Sequence, residues 1–108
     1  MIIHVARDFS KTPFGRYEGD SPFSAQKFRD EVLIPAFINN PNEQIVVDFS
    51  GVMVGLGSSF LEEVFGGLVR SQSVPLKDIR ERLVIKSKLP IYEGRVKAFI
   101  EQAASVKG

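Results

Sequence analysis

The segment that most restricts the fold is a strand followed by a glycine-rich turn and an amphipathic helix, all within residues 44–69. Residues 44–49, Gln-Ile-Val-Val-Asp-Phe, form a short β-branched run bounded by turn residues, which is typical of a central strand covered on both faces. After the turn, six apolar residues recur at helical spacing: Phe60, Leu61, Val64, Phe65, Leu68 and Val69. We therefore expect a β-turn-α unit whose helix packs on the sheet.

The rest of the chain repeats this alternation of strand and helix. Alternating residues predict a first strand near residues 2–7, with His4 on its less buried face, and residues 83–85 predict a third. Three further helices are expected: one starting at Ser21 or Ser24, a short one over residues 76–82, and an amphipathic one over residues 92–103. The order predicts an α/β fold with an at least partly parallel sheet and right-handed crossovers.

Three local features carry more specific expectations. Residues 9–21 are rich in turn formers and predict either a long hairpin or an ordered loop. Pro35 lies inside a helical repeat and should kink that helix or end its regular hydrogen bonding. Gly66 and Gly67 lie inside the central helix, where each costs about 1 kcal/mol relative to alanine. A close approach to a strand or a partner would compensate for that cost.

Length and composition limit the classes of function. A chain of 108 residues predicts one domain over residues 1–108, with no room for a large enclosed substrate cavity. The absence of cysteine excludes disulfides, thiolate metal sites and cysteine nucleophiles, and His4 is the one histidine. We therefore expect no metal or other cofactor. Without a signal-like or membrane-spanning segment, a cytoplasmic protein with no membrane partner is expected.

The charge is uneven along the chain although it nearly cancels overall. Residues 1–69 hold five basic and nine acidic side chains, net −4, whereas residues 70–108 hold nine and four, net +5. The basic half contains Arg80, Arg82, Lys86 and Lys88, which are expected to form a solvated face. Nucleic acid is not expected as a partner, because Tyr92 is the single aromatic residue near those charges.

The turn before the central helix contains the candidate site. Ser59 and Glu62 have the spacing of a capping box, in which the serine hydroxyl accepts a first-turn amide and the glutamate reaches back. Ser59, and its neighbour Ser58, are also candidate phosphoacceptors, because free amides and the helix dipole stabilise a phosphate at a helix start. Capping and phosphorylation can coexist at one serine.

Catalysis has little support at this turn. The turn lacks both the Gly-Lys-Ser/Thr of a nucleotide-binding loop and the GxSxG of a serine-hydrolase elbow. Glu62 and Glu63 are adjacent on a helix and point about 100° apart, so they make a poor acid-base pair. Asp48, at the end of the central strand, is expected to accept amides of the Ser50-Gly51 turn.

Two stretches resemble the STAS domain, which is named for sulfate transporters and anti-sigma-factor antagonists. Residues 48–52, Asp-Phe-Ser-Gly-Val, match the end of its central strand, and residues 57–60, Gly-Ser-Ser-Phe, occupy the place of its serine pair. The whole chain more closely resembles the STAS-like domain family of small prokaryotic proteins, through blocks at residues 9–17, 19–24 and 57–70. The resemblance implies a mixed sheet of four to five strands with helices mainly on one face.

The resemblance also implies a regulatory role. In antagonist STAS proteins the second serine of the pair is phosphorylated by an ATP-binding anti-sigma kinase, which releases the partner; the corresponding residue is Ser59. Two residues depart from that motif: Gly57 replaces an acidic residue, and Phe60 replaces a glycine. The implied partner is a histidine-kinase-like ATPase or an anti-sigma-type kinase, and a homodimer is compatible with such a module.

Three functions compete for this site. The preferred one is a non-catalytic partner-switching module controlled at Ser59. The alternative is a module that binds a small anion or nucleotide at the Gly55–Ser59 turn with help from Arg16 or Lys11, and the third is a small hydrolase or transferase using Ser58 or Ser59. The residues expected to meet a partner or an anion are Gly55, Gly57, Ser58, Ser59, Phe60, Glu62, Glu63 and Arg16.

Overall fold

A parallel three-stranded sheet forms the centre of the computed structural model, which describes residues 1–106. The strands are β1 (Ile2–His4), β2 (Ile45–Asp48) and β3 (Leu83–Lys86), in the order β1-β2-β3. The strands predicted at residues 44–49 and 83–85 are thus confirmed to within a residue at each end. The last two residues of the predicted 1–108 domain lie outside the described part.

Helices occupy most of the connections between the strands. Two of the helical stretches contain a wider π-helical turn, here called π1 and π2. The elements are α1 (Val5–Asp8), α2 (Ala25–Phe28), π1 (Arg29–Leu33), α3 (Ile34–Asn39), α4 (Ser58–Leu61), π2 (Glu62–Gly66), α5 (Gly67–Ser71), α6 (Leu76–Arg82) and α7 (Ile91–Val106). Residues 25–39 and 58–71 therefore each form one continuous helical stretch.

The two faces of the sheet differ in burial. Both crossovers advance in the same direction across the sheet, so right-handed connections place their helices on one face. On that face Ile3, Ile45 and Val47 are buried. On the other, Ile2 is 52% exposed and shares a row with half-buried Val46. Within residues 1–106 the sheet has three strands, all parallel, and not the four to five strands of a mixed sheet implied by the resemblance.

The first strand is shorter than the predicted span of residues 2–7. It ends at His4, whose backbone N–H donates to Asp8 Oδ2 at 2.9 Å. The carbonyl oxygen of Val5 then accepts the N–H groups of Phe9 and Ser10 at 3.0 and 2.9 Å. Because these local bonds satisfy the backbone, the chain turns into α1 rather than continuing the strand.

Residues 9–21 form an ordered loop, the second of the two predicted alternatives. The loop lies along the start of α2, where Ala25 N donates to Gly15 O at 2.8 Å and Gln26 N donates to Arg16 O at 2.9 Å. Ser24 caps α2 as predicted, since its hydroxyl accepts from Lys27 N at 3.2 Å. These contacts fix the position of Arg16.

Pro35 lies in the first turn of α3, directly after π1. A proline has no N–H to donate, and its ring collides with the carbonyl four residues earlier in a regular α-helix. The wider π-helical turn is one of the known ways in which a helix absorbs such an interruption. The predicted break in regular hydrogen bonding therefore takes the form of π1.

We expect Phe65→Ala to lower the free energy of unfolding by about 3–5 kcal/mol, because Phe65 is fully buried and its removal leaves a cavity. The matched control is Phe14→Ala, because the Phe14 side chain is 57% exposed. This substitution should change the free energy of unfolding by less than about 0.5 kcal/mol. Urea unfolding followed by circular dichroism measures both. Similar losses in the two variants would contradict the position of the core.

Candidate functional site

The serine pair lies at the surface, at the start of α4. Gly57 is the N-cap residue in an extended conformation, so Ser58 and Ser59 are the first two residues of the helix. Both serines are exposed, and neither hydroxyl makes a hydrogen bond within the described residues. The predicted capping box is therefore wrong: the helix begins two residues too early for Ser59 to cap it, and the Glu62 side chain bonds Arg16 and Arg70 instead.

Phe60 separates the serines from the core. Its side chain is buried together with that of Leu61, so the bulky residue points inward and leaves Ser58 and Ser59 in solvent. Gly55 and Gly57 are also exposed, and a Cβ at either position would meet no atom within 4 Å. The turn from Gly55 to Ser59 is thus an open surface.

Glu63 is buried in an ion pair with Arg29. Arg29 Nη1 lies 2.6 Å from Glu63 Oε2 and also donates to the Glu63 carbonyl oxygen at 3.1 Å. The two side chains are 12% and 9% exposed. The pair connects π1 to π2, and so links the two helical stretches. Arg16 adds a third contact, because its Nη1 donates to Glu63 Oε1 at 3.1 Å.

Glu62 completes the cluster on its exposed side. Arg16 Nη1 donates to Glu62 Oε1 at 2.7 Å, and Arg70 Nη1 donates to Glu62 Oε2 at 2.5 Å. The pKa of Glu62 is lowered, mainly because Arg70 donates to its carboxylate and also because Arg16 does, against the opposing effect of burial. Both carboxylates thus bond the same guanidinium, and together they hold the Arg16 side chain.

The glycine pair makes room for this cluster. A Cβ at Gly67 would collide with the Arg29 guanidinium, and one at Gly66 would collide with the Glu62 carboxylate. The predicted close approach therefore exists, but to ionic side chains rather than to a strand or a partner. Both glycines have ordinary helical backbone angles, so they matter here for space: a Cβ at either position would force the Arg29 or Glu62 side chain to shift.

Asp48 ends β2 and stabilises the turn that follows. Its Oδ1 accepts the N–H of Ser50 at 2.8 Å, as predicted, and its Oδ2 lies 3.5 Å from His4 Nδ1. Burial acts to raise the pKa of Asp48, but hydrogen bonding by Ser50 and the nearby Lys86 and His4 outweigh it, so the pKa is lowered. The role of Asp48 is structural.

A cleft of about 340 Å³ lies between the turn after β2 and the turn after β3. It is lined by residues 49–56, residues 87–89 and Tyr92. The Tyr92 hydroxyl accepts the N–H of Leu56 at 3.0 Å, which holds the turn against α7. The cleft therefore lies at the carboxyl ends of two parallel strands, where ligands of α/β proteins commonly bind.

Sequence reasoning missed Arg29, Arg70 and Tyr92 as residues of this region. Arg29 contacts a residue 34 positions away and Tyr92 one 36 positions away, so local spacing carries no signal for either. The glycine pair was a usable signal, because it indicated a close approach within the same helix. The structure brings together Arg16, Glu62 and Glu63, with Ser58 and Ser59 one helical turn earlier.

The fold and site define a small α/β domain whose central strand leads into an exposed serine pair. Residues 24–88, more than half of the chain, match the family described as STAS-like domain of unknown function (DUF4325). The chain belongs to this family, which confirms the resemblance found in the sequence. Neither curated proteins nor solved structures give a significant match.

Two further properties concern residues 1–106 alone. No helix in this part of the chain has the length and apolar character needed to cross a membrane. Nor do these residues contain a group of three or more His, Cys, Asp and Glu side chains placed to hold a metal ion.

We expect Arg29→Ala to reduce the free energy of unfolding by about 3 kcal/mol, because it removes the main partner of a buried carboxylate. Arg80→Ala is the matched control, since Arg80 pairs with Glu101 at the surface and its loss should leave the urea midpoint almost unchanged. Urea unfolding of both variants measures these two changes. Equal shifts would show that the Arg29–Glu63 pair contributes no more than a surface pair.

Acidification should destabilise the cluster through Glu62. In the unfolded chain a glutamate has a pKa of about 4.3. In the native state the pKa of Glu62 is lower, so its carboxylate stays charged to lower pH. Its stabilisation is therefore complete above the unfolded-state pKa and is lost as the pH falls through the native pKa. We expect Glu62→Gln to make unfolding less dependent on pH between about pH 5 and 2, measured by urea titrations. If the free energy of unfolding depends on pH equally in the variant and in the wild type, the pH dependence does not come from Glu62.

Proposed function

We propose that this protein is a non-catalytic regulatory module that binds a partner protein and is switched by phosphorylation of Ser59. The observation that carries the proposal is the position of the Ser59 hydroxyl, which is exposed in the first turn of a helix and makes no hydrogen bond within the described residues. A capping serine would hold its hydroxyl against the backbone, whereas this one is accessible to a kinase. Buried Phe60 does not cover it.

A phosphate on Ser59 would compete with the carboxylates for Arg16. Residues three and four positions apart on a helix are neighbours, so Ser59 lies beside Glu62 and Glu63. The Arg16 side chain is 34% exposed and bonds both carboxylates. A phosphate carries more charge than a carboxylate and forms strong charge-assisted hydrogen bonds with arginine. Phosphorylation can therefore move Arg16, and with it the ordered loop of residues 9–21.

The surface around Ser59 is not already acidic. Glu62 and Glu63 are neutralised by Arg16, Arg29 and Arg70. A phosphate would add a charge of about −1.5 to −2 there and so reverse the local potential. A partner that binds the unmodified surface would then be released. The partner we propose is a histidine-kinase-like ATPase or an anti-sigma-type kinase, following the family resemblance.

Binding of a small anion or nucleotide at the Gly55–Ser59 turn is the second candidate. It is favoured by the exposed glycines and by a helix start at Gly57 that no side chain caps, a setting that suits anions. Arg16 would have to leave Glu62 and Glu63 to assist, which makes this function the weaker of the two.

Phosphorylation can be tested with purified protein, labelled ATP and the histidine-kinase-like ATPases encoded near its gene. We expect mass spectrometry to place the phosphate on Ser59, with incorporation lost in Ser59→Ala and kept in the matched control Ser58→Ala. Both variants should unfold at the same temperature as the wild type, because neither hydroxyl makes an internal hydrogen bond. Failure of every such ATPase to modify Ser59 would overturn the proposed switch.

A further inference from the structure

The cleft between the turns after β2 and β3 has a rigid apolar floor. Phe49, Leu56 and Tyr92 are buried there, and the rings of Phe49 and Tyr92 meet edge to face with centroids 6.1 Å apart. The hydrogen bond from Leu56 N to the Tyr92 hydroxyl fixes the floor further. A preformed apolar floor of this kind can bind an anchoring side chain without an ordering cost.

The rim of the same cleft exposes large apolar side chains. Met53 is 74% exposed and Leu89 is 54% exposed, and Val54 lies beside them. Methionine is flexible and polarizable, and it is enriched at protein interfaces. An exposed apolar cluster around a buried floor is more typical of a protein-binding surface than of a pocket that encloses a small molecule.

The charge of the cleft limits what can dock there. Lys88 is the one charged residue in the lining; it is exposed and forms no ion pair within the described residues. No carboxylate among residues 1–106 lines the cleft. The complementary ligand is thus an apolar side chain with a carboxylate next to it.

We propose that this cleft binds a segment of the partner protein in which an apolar anchor is flanked by acidic residues. The inference rests on the proposed function for the existence of a partner, and it adds the chemistry by which that partner is recognised. The apolar anchor packs on Phe49 and Tyr92, while the neighbouring carboxylate pairs with Lys88.

This docking chemistry explains why a phosphate on Ser59 would release the partner. Ser59 follows Leu56 by three residues, a stretch of chain that spans at most about 11 Å. The upper limit of this distance exceeds the Debye length of about 8 Å at physiological ionic strength, so the effect of a phosphate on the cleft is partly screened there and grows as salt is removed. The phosphate therefore repels the acidic segment, most strongly at low salt.

The test is a nitrogen-15 NMR titration with two synthetic peptides, acetyl-Gly-Glu-Leu-Phe-Glu-Gly-amide and its counterpart with lysine in place of both glutamates. We expect the acidic peptide to shift amides of residues 49–56 and 87–92, and to bind at least about tenfold more tightly than the basic one. Lys88→Glu should invert that preference. Lys97→Glu is the matched control, because Lys97 is exposed on α7 and lines a different cleft, so the preference should stay unchanged.

Several results would overturn the docking site: no shifts at millimolar peptide, shifts confined to other surfaces, equal binding of both peptides, or no effect of Lys88→Glu. The titration uses unmodified protein and needs no kinase, so it fails or succeeds independently of Ser59 phosphorylation. Ser59→Glu should weaken binding of the acidic peptide. If Ser59 is phosphorylated but the peptide does not bind, only the docking site is refuted.

Discussion

The buried ion pair between Arg29 and Glu63 is the contact on which the rest of the site depends. It connects the helical stretch that follows the ordered loop to the stretch that begins at the serine pair. A buried carboxylate is costly unless its charge is matched and its oxygens are hydrogen-bonded, and here Arg29 and Arg16 do both. Together the two arginines hold the helix of Ser59 in a fixed relation to the loop.

That requirement accounts for several features that look unrelated in the sequence. Gly67 lacks a Cβ because the Arg29 guanidinium occupies that space. Each partner of the pair belongs to a π-helical turn, π1 for Arg29 and π2 for Glu63. An inserted residue changes the direction in which side chains leave a helix, and such turns occur often at functional sites. The cluster also keeps Glu62 and Glu63 from making the serine surface acidic.

How much could be predicted from the sequence depended on how local each interaction is. The strand at residues 45–48 and the helix after it follow from hydrophobic spacing, and Ser24 caps its helix as expected. The predicted capping role of Ser59 is wrong because the helix starts two residues earlier than a cap at Ser59 requires, which makes Gly57 the N-cap residue. Propensity does not determine a helix end that closely.

The ionic cluster could not be predicted from local sequence patterns, for a different reason. Arg16 reaches Glu62 across 46 residues, and its position depends on how the loop lies against α2. The glycine pair indicated a close approach, but glycine alone does not distinguish a strand backbone from a guanidinium. The arrangement that results is a serine with no hydrogen bond among the described residues, beside an apolar cleft and a cluster of three arginines and two glutamates.

The most direct measurement is the affinity of the partner ATPase for this protein with Ser59 unmodified and with Ser59 phosphorylated, by calorimetry at physiological ionic strength. We expect phosphorylation to weaken binding at least about tenfold, equivalent to about 1.4 kcal/mol, and the loss of affinity to shrink as salt is added. Equal affinity of the two forms would contradict a switch at Ser59.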